Sequence, residues 1–301
     1  MELGMIGLGR MGANMTERLI HGGHRVVVHD IDSAAVRRTA ELGAVAAASI
    51  ESLTRELKPP RIVWLMVPAG NIVEQTLKAL MPFLVTRDIV IDGGNSNYKD
   101  SMRRAAFCAE KGIDFVDSGT SGGIWGLREG YCLMIGGSEA AVSRLKPVFE
   151  TLAPSADSGW AHVGPPGAGH FVKMVHNGIE YGLMQAYAEG FALMKKKSEF
   201  RLDIHQIAEV WRHGSVVRSW LLDLTAEALG EDVALDNIQP EVADSGEGRW
   251  TVSEALDQNL SAPVITLSLL ERLRSRDRDS FQDKLLAVMR NKFGGHEVKR
   301  Q

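Results

Sequence analysis

The chain has 301 residues, of which 45% are hydrophobic and 24% charged, with 34 Lys+Arg against 38 Asp+Glu and a formal charge of −4. These values exclude a disordered low-complexity chain and a strongly basic nucleic-acid binder, and two cysteines, Cys108 and Cys132, cannot build a disulfide framework. No apolar run reaches the roughly 18 residues of a membrane span, and the start at Glu2-Leu3-Gly4-Met5-Ile6 has no secretory pattern, so the expectation is a soluble, cytoplasmic protein of about two domains.

The first half alternates short apolar runs with segments of helical period. Strands are predicted at Leu3–Ile6, Arg25–His29, Ile62–Val67, Ile89–Ile91 and Asp114–Asp117, then at Tyr131–Ile135 and Ser155–His162. Helices are predicted near 11–21, 33–42, 50–57, 70–80, 98–111 and 138–152. This rhythm predicts a Rossmann-type, doubly wound parallel sheet with helices on both faces. The pattern changes at Gly164-Pro165-Pro166-Gly167. Beyond it, helices are predicted at about 168–197, 203–213, 217–229, 251–260, 263–276 and 278–292, with a loop over Asp236–Gly248. The expected organisation is an α/β dinucleotide-binding domain, 1–163, followed by an all-α substrate-binding and oligomerisation domain, 164–301.

Gly7-Leu8-Gly9-Arg10-Met11-Gly12 is a G-x-G-x-x-G between the first strand and the first helix. Glycines there allow the tight turn, the approach of a pyrophosphate and close helix–strand packing, and the helix N-terminus offers N–H groups to phosphate. Asp30 closes the second strand, eighteen residues after Gly12. An acid there suits ribose hydroxyls and repels a 2′-phosphate, which favours NAD over NADP. Arg37 and Arg38 argue the other way unless they belong to a solvated helix face.

Lys173, His176, Asn177 and Glu180 are spaced i, i+3, i+4, i+7 and share one helix face. Periodicity alone allows an ordinary exposed polar stripe. The Gly-rich joint before the helix instead places this face near the nucleotide domain, where clefts form. Asp92-Gly93-Gly94-Asn95-Ser96 and Ser118-Gly119-Thr120-Ser121-Gly122-Gly123 are expected as loops at the carboxyl ends of the strands Ile89–Ile91 and Asp114–Asp117, the edge where such sheets bind ligands. Cys108 and Cys132 read as structural residues in apolar surroundings. No His/Cys/Asp/Glu spacing points to a metal.

Together these stretches resemble the decarboxylating 6-phosphogluconate dehydrogenases of the β-hydroxyacid dehydrogenase superfamily, in a short form. The resemblance extends over Gly7–Asn14, Asp92–Ser96, Ser121–Gly123, Gly167–Tyr181, Gly248–Thr251 and Arg290–His296. It implies that Lys173 is the general base, that Glu180 protonates C1 of the enediol, and that no metal takes part. A lysine near its ordinary pKa of about 10.4 cannot serve, so burial must favour its neutral form. The implied cofactor residues are Gly7, Leu8, Gly9, Arg10, Met11, Gly12, Asp30, Val67 and Asn95. The implied substrate residues are Asn95, Ser121, Gly122, Gly123, His176, Asn177, Tyr181, Arg249, Arg274, Arg290 and His296. The last two lie in a tail expected to complete the partner's site in a homodimer or higher oligomer. Asp30-Ile31-Asp32 departs from NADP-dependent members. Two rival readings stay open: a 3-hydroxyisobutyrate-type dehydrogenase without decarboxylation, and a non-catalytic nucleotide-binding scaffold.

Overall fold

Successive residues of the central strands face two different cores, and that alternation fixes the layers of the computed structural model, which describes residues 1–295 and 297–299. Leu3, Met5, Val26, Val28, Trp64 and Ile91 face one core, with Met15, Leu19 and Phe149 from helices. Val27, Val63, Leu65 and Val90 face the opposite core, with Leu53, Leu77 and Cys108. Residues two apart share a face, so strands apolar at every position must be covered on both sides.

The first compact unit, Met1–Asn177, holds the sheet. Its elements are β1 (Glu2–Ile6), α1 (Arg10–His21), β2 (Arg25–His29), α2 (Ser33–Glu41), β3 (Val45–Ala46), α3 (Ile50–Arg55), β4 (Ile62–Leu65) and α4 (Asn71–Leu80). There follow β5 (Ile89–Asp92), α5 (Tyr98–Ala109), β6 (Asp114–Ser121), α6 (Gly126–Glu129), β7 (Cys132–Gly136), α7 (Glu139–Leu152) and β8 (Trp160–Gly164). The strand order is β3-β2-β1-β4-β5-β6-β7-β8. Strands β1 to β6 run parallel, as the alternating pattern predicts.

Four details differ from the sequence expectation. β7 runs antiparallel to β6, with Asp117 opposite Gly136 and Ser121 opposite Cys132. The segment between them is too short for a parallel crossover, which takes a dozen or more residues. β6 continues through Ser118-Gly119-Thr120-Ser121, expected as loop: these small residues carry no apolar strand signal, but β7 supplies the ladder partners. The two-residue β3 was not expected, and β8 starts at Trp160 rather than Ser155.

The sheet ends at Gly164, and the unit that contains it runs on into α8 (Ala168–Lys196) as far as Asn177. The second unit begins at Gly178 and contains the rest of α8 with α9 (Ile204–Arg212), α10 (Trp220–Glu231), α11 (Glu247–Asp257), α12 (Pro263–Ser275) and α13 (Phe281–Gly294). Its core is small: Phe191, Ile204, Ala208, Leu222, Ala226 and Leu229. Among the described residues no helix is long and apolar enough to cross a membrane.

Candidate functional site

The glycine loop shows which of its residues serve the fold and which do not. Gly7 has φ +98, and a Cβ there would lie 2.4 Å from the Met66 carbonyl oxygen. A Cβ at Gly12 would lie 2.0 Å from the Gly7 carbonyl oxygen, so α1 could not approach β1. Gly9 differs: its φ is −60, and a Cβ would meet nothing within 4 Å. Nothing in the chain demands glycine at that position. Gly9 is also the N-cap of α1, with no capping side chain and no acidic residue in the first turn. The first N–H groups of a helix have no intrahelical acceptor, so Arg10, Met11 and Gly12 present an anion site with room above it. These features fit a dinucleotide pyrophosphate.

Asp30 sits against this loop. One carboxylate oxygen accepts the Leu8 N–H and the other accepts the Asp32 N–H at 2.8 Å. An ionised carboxylate has about four acceptor positions, so two bonds leave capacity for ribose hydroxyls. Arg37 donates to Ser33 Oγ, and Arg38 pairs with Asp32 at 3.7 Å, both within α2 or its cap. Val67 follows β4 and is half-buried.

The Asp92–Ser96 loop is braced by a buried arginine that sequence reasoning missed. Arg104 donates to Asp92 at 3.1 Å, to Ser96 Oγ at 3.2 Å and to the Gly70 carbonyl at 3.0 Å. Asp92 also accepts the Gly94 N–H and the Ser96 hydroxyl. Asn95 is left exposed at the tip. Nearby, burial works against the charge on Glu74, but Arg103 and Arg104 outweigh it and hold that carboxyl below its ordinary range. Ser121 ends β6, and Gly122 and Gly123 follow with φ +122 and +50. Of the cysteines, Cys108 is buried, and burial first and the Glu74 charge second push its thiol up to about 12. Cys132 is exposed, contrary to the apolar setting expected for it.

On α8 the expected cluster forms in part within the first unit. Lys173 is 6% exposed, and its Nζ donates to Asn177 Oδ1 at 2.8 Å. His176 Nδ1 lies 3.4 Å from that amine and 3.1 Å from the same amide oxygen. Glu180 is half-buried, one helical period further along.

In the helical unit Tyr181 is the centre of a second cluster. Its hydroxyl donates to Asp244 at 3.4 Å, and Arg249 pairs with the same carboxylate at 2.5 Å. Burial opposes the Asp244 charge, but Arg249, the Gly246 N–H and the Tyr181 hydroxyl outweigh it and hold the carboxyl below its ordinary value. The Arg272 guanidinium lies 3.4 Å from the centre of the Tyr181 ring and donates to the Ala243 carbonyl. Arg274, the residue chosen from sequence, is exposed near the end of α12. Two residues on a helix are rotated by about 200°, so Arg272 and Arg274 cannot share a face. The geometry favours Arg272 for this cluster. Asp244 and Arg272 were missed because one lies in an apparent loop and the other in a run of charges. Arg290 is exposed on α13, and His296 lies outside the described residues.

The chain matches known proteins along its whole length. The profile of the NAD binding domain of 6-phosphogluconate dehydrogenase matches residues 2–163, and that of the 6-phosphogluconate dehydrogenase C-terminal domain matches residues 169–301. The chain is 45% identical over 302 residues to the NAD(+)-dependent, decarboxylating 6-phosphogluconate dehydrogenase of Haloferax volcanii, across 100% of this chain and 99% of that protein. Plasmodium falciparum 6-phosphogluconate dehydrogenase, solved with NADP+ and with 6-phosphogluconate, superposes with a TM-score of 0.85 at 29% identity. That match covers 100% of this chain but 66% of the longer enzyme. Mycobacterium tuberculosis 3-hydroxyisobutyrate dehydrogenase shares the fold, with a TM-score of 0.74 at 21% identity over 92% of this chain and 94% of that one. With both profiles matched along nearly its whole length, this chain belongs to the 6-phosphogluconate dehydrogenase family.

Proposed function

We propose that the chain converts 6-phospho-D-gluconate to D-ribulose 5-phosphate and CO₂ with reduction of a nicotinamide dinucleotide, NAD in preference to NADP. The observation that carries this reading is the buried Lys173–Asn177 pair, seated on the same sheet as the glycine loop. Gly7 to Gly12 and Asp30 would hold the dinucleotide, with Val67 and Asn95 lining it. Bound there, the dinucleotide would supply a hydride acceptor for C3 of the sugar acid.

Lys173 takes the proton from the C3 hydroxyl. Burial disfavours a charged amine, which helps it act as a base. The 3-keto acid then loses CO₂, and the protonated Lys173 donates to the developing enolate oxygen. The electron pair of the bond between C2 and the carboxyl carbon flows toward that oxygen, so the keto group is the electron sink. Glu180 returns a proton to the former C2, which becomes C1 of the product. Asn95, Ser121, Gly122, Gly123, His176 and Asn177 bind the hydroxyls and carboxylate. Tyr181, Arg249 and Arg272 bind the phosphate, joined by Arg290 and His296. Arginines suit this role because their donors match phosphate oxygens in pairs.

The NAD preference rests on Asp30, whose charge opposes a 2′-phosphate, and on the local engagement of Arg37 and Arg38. A spectrophotometric assay with 6-phosphogluconate and each cofactor, with CO₂ trapped, tests the whole reading. NADH and CO₂ in equal amounts are expected. Turnover of 3-hydroxyisobutyrate without CO₂, or no turnover of any hydroxyacid, would replace it with one of the rivals.

We also propose that the working form is a homodimer or higher oligomer. The helical unit exposes Leu193, Leu256, Val264 and Phe281 at 73%, 73%, 68% and 74%. A second copy of the helical unit would cover these side chains. Light scattering reads the assembly directly. A chain truncated after Met289 should still bind NAD and lose turnover; full activity would remove the tail from the site.

A further inference from the structure

We propose that Asp117 is the positioning residue for Lys173: its carboxylate closes the N-terminus of α8 and fixes the turns from which the reacting amine projects. The inference rests on Lys173 as the proton acceptor and assigns a residue that neither motif nor spacing singled out.

Gly167 precedes α8 with φ +97, a conformation that favours glycine, and so it offers no capping side chain. Asp117 supplies the acceptors instead. Its Oδ1 accepts the Gly167 N–H at 2.6 Å and its Oδ2 accepts the His170 N–H at 2.7 Å. In a capping box, two side chains of the helix itself satisfy these same two donors, at the N-cap and three residues on. Here one carboxylate does both, from a strand 50 and 53 residues away in sequence. Asp117 is fully buried. A buried carboxylate is tolerable only with its bonds made, so the first turn of α8 and β6 are tied to one geometry.

The strand carries the constraint forward to Lys173. Asp117, Gly119 and Ser121 alternate onto one face of β6. A Cβ at Gly119 would sit 2.5 Å from the Lys173 Cβ and 2.6 Å from the Gly169 carbonyl oxygen. A Cβ at Gly136 would sit 2.4 Å from Asp117 Oδ1 and 2.7 Å from the Gly169 nitrogen. The helix therefore lies on bare backbone at Lys173, and the carboxylate has no space for a second position. His170 Nδ1 meets Ser101 Oγ at 2.7 Å and ties the same turn to α5.

Asp117→Asn preserves the size but turns one acceptor into a donor facing an N–H. The lysine root then shifts, and a misplacement of about 1 Å costs on the order of 100-fold in rate. The expected result is a kcat lowered by about 10- to 100-fold, with the KM for 6-phosphogluconate and the Kd for NAD changed by less than about threefold. A lowered melting temperature with wild-type kcat per folded molecule would overturn the proposal, as would an equal loss of NAD affinity. If the variant does not fold, hydrogen exchange on the wild-type protein decides. The Gly167 and His170 amides should be protected, although first-turn amides ordinarily lack an acceptor; exchange at open-helix rates would overturn the assignment. Lys173→Met is the control. If it stays active, the base assignment itself fails; if it is dead while Asp117→Asn is fully active, only the positioning role fails.

Discussion

Three helices of the sheet unit, α1, α4 and α8, start from a glycine that has no side chain to cap them, and α1 and α8 differ in what closes them. At α1 the Gly9 end is left without a protein acceptor from any side-chain cap, and the space above Gly9 is open. At α8 the Gly167 end is closed by both oxygens of Asp117. The same local chemistry thus yields a ligand seat in one place and a mechanical joint in the other. What separates them is a single carboxylate on a distant strand. A glycine at a helix start is a binding signal only where the fold withholds a partner of its own.

The largest effect expected from breaking this contrast falls on the closed helix. Lys173→Met should lower kcat by about 10³-fold or more, in the upper range for loss of a general acid–base group, while NAD titration gives the wild-type Kd. The open helix should show the converse. Gly9→Ala adds a methyl group that the chain itself accommodates, at an ordinary φ of −60. Its melting temperature should match wild type while the Kd for NAD rises about tenfold, or about 1.4 kcal/mol. Gly12→Ala sharpens that test, because its Cβ would meet the Gly7 carbonyl oxygen. It should lose about 1–3 kcal/mol of stability in a denaturant titration, as overpacked sites do.

The smallest effect lies in the helical unit and depends on pH. The Asp244 carboxyl is held below its ordinary value of 3.8. Its contribution to stability is therefore complete above about pH 4 and is lost as pH falls through the lowered folded-state value. Arg249→Leu should cost some stability at neutral pH and nothing at low pH, where the acid is protonated in both states. Unfolding midpoints for both proteins across pH 2–7 measure the difference; a gap that does not narrow on acidification would remove Arg249 as the source.

What the sequence disclosed follows the range of the interactions involved. The glycine loop, Asp30 and the Lys173–Asn177 face are local patterns, readable from strand alternation and helical period. β1, β2, β4, β5 and the start of β6 were legible for the same reason. The antiparallel β7 was not, because its direction is set by the length of a connection that itself carries no strand signal. Ser118–Ser121 read as loop because small polar residues gain their strand character only from a partner. Arg272 escaped notice because a run of charges hides the helical phase that puts it on Tyr181. Asp117 was invisible as anything but a strand terminus: its role depends on two amides fifty residues downstream.

At Gly119, Gly136 and Gly169 no side chain of the residue itself separates α8 from the strands beneath it. Most protein joints contain a cushion of rotatable groups that absorbs a misfit by repacking. These three positions have none, so a single added methyl group must be passed on as a rigid translation of the helix. Stiffness of that kind lets a sheet set the location of a flexible lysine to within a fraction of an ångström. It also makes this seam unforgiving to alter.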